Sequence, residues 1–144
     1  MPQRVDEERA VDALVQASFA VTRVLSEVAS EHDVSLTLLR LMGILLDHEP
    51  RMAELAEHLG LERSTMSGLI DRAERRGLVE RRPDPVDARA TVVVMTEDSR
   101  ELVESARERI LETLGEFLLD LHPAQIAHLT DSLETIVSTA GGTR

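Results

Sequence analysis

Between Met52 and Thr96 the apolar residues change their period at two glycines, and this punctuation constrains the fold more than any other feature of the chain. Met52, Leu55, Ala56 and Leu59 stand at i, i+3, i+4 and i+7, the stripe of a short amphipathic helix closed by Gly60. Leu61 and Glu62 make the turn. Arg63 to Arg76 is again helical, with Met66, Leu69, Ile70 and Ala73 as its buried stripe and Gly77 as its C-terminal stop. Two short helices joined by a tight glycine turn predict a helix-turn-helix. After Gly77 the period shortens. Leu78 to Arg82 and Thr91 to Thr96 are strand-like, the second rich in β-branched residues, and PDPVD between them predicts a loop. The expected product is a hairpin carrying arginines around a proline-stiffened tip.

The rest of the chain is helical in pattern. Asp6 to about Glu31 repeats apolar residues at helical spacing, and Ser35 to Asp47 predicts a more hydrophobic helix that stops before Pro50. Beyond Thr96 a long helix runs to about Leu121, and Pro123 starts a last one bearing Ile126, Leu129, Leu133, Ile136 and Val137. The GGTR tail is expected to fray. A helix of about 25 residues is roughly 38 Å long, whereas a compact globule of this length has a radius of gyration of about 14–15 Å. The first and the long helix both carry apolar stripes that a small helix-turn-helix core cannot cover, so burial against a second copy is expected. The fold class is mostly α with a small β-hairpin, in a single domain over residues 1–144.

A formal net charge of −11 argues at first against a nucleic-acid partner. The distribution argues the other way, because residues 63–89 hold seven arginines against five acids, a local net of +2. All 16 basic residues are arginine, whose forked donors suit phosphates and guanine edges. Only Phe19 and Phe117 are aromatic, which excludes stacking on unpaired bases as the mode of binding. The lack of cysteine excludes disulfides, thiol sensing and thiolate metal sites. The longest apolar run, Leu36 to Leu46, is broken by Arg40 and too short to span a bilayer, and MPQRVDEER has no signal core. No membrane partner and a cytoplasmic location are expected. No nucleophile motif, phosphate loop or distinguished carboxylate pair points to an enzyme, and the five histidines form no compact ligand set, so neither metal nor cofactor is expected.

The candidate contact surface is the exposed face of the second short helix, where Arg63, Ser64, Thr65, Ser67, Gly68, Asp71, Arg72 and Arg75 gather. Small hydroxyls near a helix N-terminus suit close approach to base edges and phosphates, although a solvated face with Ser64 as a cap fits the same residues. At the hairpin tip Asp87 and Arg89, two apart on an extended chain, can lie on one side and pair. Arg75, Arg76, Arg81 and Arg82 suit phosphate, or ion pairs with Glu74, Glu80 or Asp84.

The motifs MAELAEHLGLERSTMSGLIDRAERRGLVERR and DARATVVVMTEDSR, with LTLLRLMGILL before them, resemble the MarR family of winged helix-turn-helix regulators. The resemblance implies a winged helix-turn-helix at 35–96 flanked by dimerisation helices at 6–31 and 97–140. It implies that Ser64, Thr65, Ser67 and Arg72 lie on the helix that enters the major groove. Asp87 and Arg89 match the family's wing Asp-x-Arg, whose arginine reaches the minor groove. The chain departs from the family in Gly68, where a long polar residue is common, in Ala88 for a frequent wing arginine, and in Ser99 for a glycine. The expected function is a transcriptional repressor that binds double-stranded DNA at a pseudo-palindromic operator as a homodimer and is released by a small molecule. The family's pocket lies between dimerisation helices and winged domain; Arg23, His32 and Arg40, near apolar stripes, are candidate anion contacts, although an ordinary surface or ion-pair role suits each of them better. The alternative is a winged helix used for protein contacts without DNA.

Overall fold

The computed structural model describes residues 2–141, with side chains from Arg4 onward. The chain runs α1 (Pro2–Glu31), α2 (Leu36–Leu45), α3 (Met52–Leu59), α4 (Arg63–Arg75), β1 (Val79–Pro83), β2 (Thr91–Met95), α5 (Glu97–Glu116) and α6 (Pro123–Thr139). The residues that open and close these elements are those with the right local chemistry. Ser35 caps α2 by accepting the N–H of Leu38, and Thr96 caps α5 by accepting that of Ser99. Gly60 ends α3 with φ of +63°, a left-handed conformation that glycine adopts without a Cβ clash.

One aliphatic core joins the helix-turn-helix to the hairpin and to parts of α1 and α5. Leu41, Met42, Leu55, Met66, Ile70, Val79 and Val93 are almost fully buried in it. The α3 and α4 stripes expected from sequence all take part, apart from the half-buried Met52, which packs against the edge. Val28, Ala29, Val103 and Ala106 bring one end of α1 and part of α5 onto the same core. The hairpin pairs antiparallel from Val79 with Met95 to Pro83 with Thr91.

Besides one-residue shifts that end α4 at Arg75, put Pro83 inside β1 rather than in the loop, and leave Leu78 and Thr96 outside the strands, four details differ from the sequence reading. First, α1 begins at Pro2 rather than Asp6 and has 30 residues, a length of about 45 Å. Second, α5 stops at Glu116, five residues before Leu121, and residues 117–121 form tight turns closed by bonds such as Phe117 N–H to the Leu114 carbonyl. The physical reason is Pro123, which holds His122 in an extended conformation while the His122 ring caps α6. Third, α2 ends at Leu45 rather than Asp47. Fourth, β2 has a second neighbour that the sequence pattern did not reveal: Arg51 bridges Val92, and the Val93 N–H binds the Pro50 carbonyl. The last three residues of the tail, Gly142 to Arg144, lie outside the described residues.

Candidate nucleic-acid interface

The exposed side of α4 is built by the same periodicity that buries its other side. With Met66, Leu69, Ile70 and Ala73 turned into the core, Arg63, Ser64, Thr65, Asp71, Arg72 and Arg75 are left exposed, and Ser67 and Gly68 are half-buried. The residue at the N-cap is Glu62, not Ser64, and its side chain makes no capping bond. The Ser64 hydroxyl is therefore not spent on a cap. No acid lies in the first turn, so the backbone N–H groups there retain their affinity for an anion such as phosphate. Among the described residues, Arg63, Arg72 and Arg75 have no ion pair within the chain.

Gly68 is explained by its neighbour one turn on. A Cβ at position 68 would stand 3.4 Å from Nη1 of Arg72, because a helical side chain leans toward the N-terminus. The Arg72 guanidinium thus lies over the place where a longer residue at 68 would project. Gly68→Ala would displace only the mobile end of this side chain. It is expected to stabilise the fold by up to about 1 kcal/mol through helix propensity and, since no charge changes, to leave the salt dependence of DNA binding as it was. Thermal melts and binding titrations at several salt concentrations check both.

The other arginines divide into struts and free ends. Arg81 reaches from β1 to α4 and binds Asp71 at 2.6 Å and Glu74 at 2.7 Å. Burial works against its charge, but these two carboxylates outweigh it and raise its pKa. Arg76 donates to the Asp33 carbonyl at 2.7 Å. Arg82 pairs with Glu80 at 2.8 Å and lies on the other hairpin face, beside Arg100 rather than α4. Of the four arginines suited to phosphate, only Arg75 stands on the α4 face without a carboxylate partner.

At the hairpin tip Asp87 and Arg89 do pair, Nε to Oδ1 at 3.1 Å, and the Arg89 side chain is 92% exposed. The pairing comes from a turn rather than an extended chain: the Asp87 carboxylate also accepts the Arg89 backbone N–H, and the Ala90 N–H binds the Asp87 carbonyl. The Arg89 side chain and then its N–H hold the Asp87 carboxyl below the usual carboxylate range. Asp84, which sequence reasoning treated only as a candidate partner for a β1 arginine, instead binds Arg51 and the N–H groups of Val86 and Asp87. The missed signal is Arg51 itself, placed between Pro50 and the start of α3.

A second feature is an open cleft of about 940 Å³ between α2, the start of α3 and α5, lined by apolar residues including Leu25, Leu36, Leu39, Ile44 and Ile110. Of the three candidate anion contacts only Arg40 lines it, with Nη2 on the His58 carbonyl. His32 instead binds the Val28 carbonyl and lies 3.4 Å from the Ser105 hydroxyl. Among the described residues no group of three or more histidine, aspartate or glutamate side chains is arranged to hold a metal, and no helix is long and apolar enough to cross a membrane.

Known proteins are similar to this chain in sequence and in fold. The sequence model of the MarR family matches residues 32–90. The transcriptional repressor IacR of Pseudomonas putida is 27% identical over 116 residues, covering 80% of this chain and 70% of the repressor. The chain spans about half or less of the length of other curated relatives it matches. Among solved structures, AbsC of Streptomyces coelicolor, a MarR family transcriptional regulator, superposes with a TM-score of 0.78 at 21% identity over 95% of both chains. The transcriptional repressor CouR, bound to a 23-mer DNA duplex, gives 0.72 at 22% identity over 87% of this chain and 89% of its own. CouR from Rhodococcus jostii bound to p-coumaroyl-CoA gives 0.75 at 23% identity, over 86% and 88%.

Proposed function

We propose that this chain is a winged helix-turn-helix regulator of the MarR family, a ligand-responsive repressor that binds duplex DNA as a homodimer; the family match over residues 32–90 and the likeness of fold support this reading. In this reading α4 enters the major groove with Ser64, Thr65, Ser67 and Arg72, while Arg63 and Arg75 meet phosphates and Arg89 enters the minor groove. The observation that carries it is the contrast among the arginines. Those at 63, 72, 75 and 89 are presented to solvent, three without an ion pair and the fourth on a tip, although the chain as a whole is strongly acidic. Residues 35–96 are the DNA-binding part and residues 6–31 and 97–140 the dimerisation part of one domain. We assign the chain no catalytic activity and place it in the cytoplasm with its DNA.

The effector belongs in the cleft against α2, as a small molecule with an apolar body whose polar group meets Arg40. It acts only through a difference in affinity between DNA-competent and incompetent dimers. Selection from random duplexes tests the DNA reading. The dimer is expected to recover pseudo-palindromes with half-sites about one helical turn, or a multiple, apart, since two-fold protein symmetry must meet two-fold operator symmetry. Recovery of single asymmetric sites alone would refute the homodimeric mode.

A further inference from the structure

The wing loop is tied to the body of the protein by one nearly buried carboxylate. Asp84 follows β1 directly and is only 8% exposed, although Pro85, Val86 and Arg89 after it are exposed. Its two oxygens divide the work. Oδ1 accepts the N–H of Val86 at 2.7 Å and that of Asp87 at 3.4 Å, which bends the chain toward the tip. Oδ2 accepts Nε of Arg51. The Asp84 N–H binds the Ala90 carbonyl at 3.0 Å and closes the base of the loop.

Arg51 comes from the far side of the sheet. It bridges Val92 on the edge of β2 opposite β1, because Val92 also pairs with Arg82. The two side chains therefore meet past β2, together spanning roughly two strand spacings, about 10 Å. The other end of Arg51 is fixed: its backbone N–H, at the N-cap of α3, donates to the Glu54 carboxylate at 3.1 Å. The two groups reinforce one another's charge, Asp84 being held below the carboxylate range by the Val86 N–H and then by Arg51. A continuous hydrogen-bonded path thus runs from α3 through Arg51 and Asp84 to Asp87, and from Asp87 to Arg89.

We propose that Arg51 and Asp84 are positioning residues for DNA binding, a latch across β2 that sets the direction of Arg89 without touching DNA. This rests on the DNA-binding reading above, and the test separates the two. In the full-chain dimer, Asp84→Asn turns an amide donor against Arg51 or forfeits a turn bond, and Arg51→Met keeps the aliphatic stem and the backbone cap but removes the donor. Each is expected to lower affinity for the selected duplex about tenfold, the effect of one charge-assisted hydrogen bond, and Arg51→Lys to recover part of it. In an Arg89→Ala background neither change should lower affinity further, since the latch acts through Arg89 alone. A loss that persists in that background would mean that Arg51 or Asp84 acts on DNA or on folding directly, and would overturn the proposal. Hydrogen exchange in the DNA-free dimer supplies a readout independent of binding: the Val86 and Asp87 amides should exchange at least several-fold faster in both variants. Unchanged exchange at these two amides would overturn the latch even if wild type binds DNA, whereas a wild type that binds no duplex would refute the DNA reading and not the latch. Should Asp84→Asn not fold, Arg51→Met, at a half-exposed side chain, carries both measurements.

Discussion

Arg89→Ala is expected to weaken operator binding by roughly 1–3 kcal/mol per half-site while leaving the thermal midpoint where it is. The separation follows from where the side chain sits. At 92% exposure, with Asp87 as its ion-pair partner, its guanidinium contributes little to the folded state, since exposed pairs are worth no more than about 1 kcal/mol. In a minor groove the same cation meets a concentrated negative potential, strongest where A·T pairs narrow the groove. A dimer inserts two such arginines, so the losses combine into at least tenfold in affinity and a shallower dependence on salt. Wild-type affinity and salt slope in the variant, at an unchanged melting point, would remove the wing from the interface.

Leu133→Glu is expected to abolish the dimer and, with it, much of the fold. α6 has 17 residues and no buried side chain, and Leu129, Leu133, Ile136 and Val137 form one exposed apolar stripe. An isolated helix of this length is marginal in water, so its stability has to come from packing. α1 presents Val11, Leu14, Val15 and Phe19, the last 65% exposed, and the end of α5 adds Leu111 and Phe117. In the proposed homodimer a two-fold interface between copies would cover these faces. Each substitution enters such an interface twice, forfeiting roughly 1.5–3 kcal/mol of leucine burial per copy, and further cost comes from a carboxylate in an apolar seam. Sedimentation at low micromolar concentration should give about 32 kDa for wild type, twice the 16.0 kDa chain. A folded wild-type species of 16.0 kDa would rule out the obligate dimer.

The helix-turn-helix was legible in the sequence because local rules agree there. The α3 and α4 stripes fall on the core, Gly60 supplies a positive φ, and the switch from period 3.6 to 2 after Gly77 becomes the hairpin. What stayed hidden depends on tertiary placement. Nothing in RRPDPVDAR tells Arg81, held by two α4 acids, from Arg82, which faces the other way, until the strand has a register. The Arg51 and Asp84 pair is 33 residues apart in sequence and crosses a strand whose second neighbour is only an isolated bridge. The ends of α1 and α5 were missed for a different reason. The start of a helix such as α1 carries little sequence signal, and α5 is stopped by Pro123, which lies beyond it. The sequence also fitted Ser64 as a cap, and only the backbone geometry at Glu62, φ −69° and ψ 154°, moves the N-cap to Glu62.

The most direct measurement of the central claim is a titration of the wild-type dimer into fluorescent random-sequence duplex DNA, followed by anisotropy from low to physiological salt. The acidic chain should bind at low salt through its arginine-bearing face, with an affinity that falls linearly in log salt and a slope set by the few phosphates it neutralises. Absence of duplex binding at the lowest salt, by a protein shown to be folded and dimeric, would contradict the account and leave the winged helix as a surface for protein contacts.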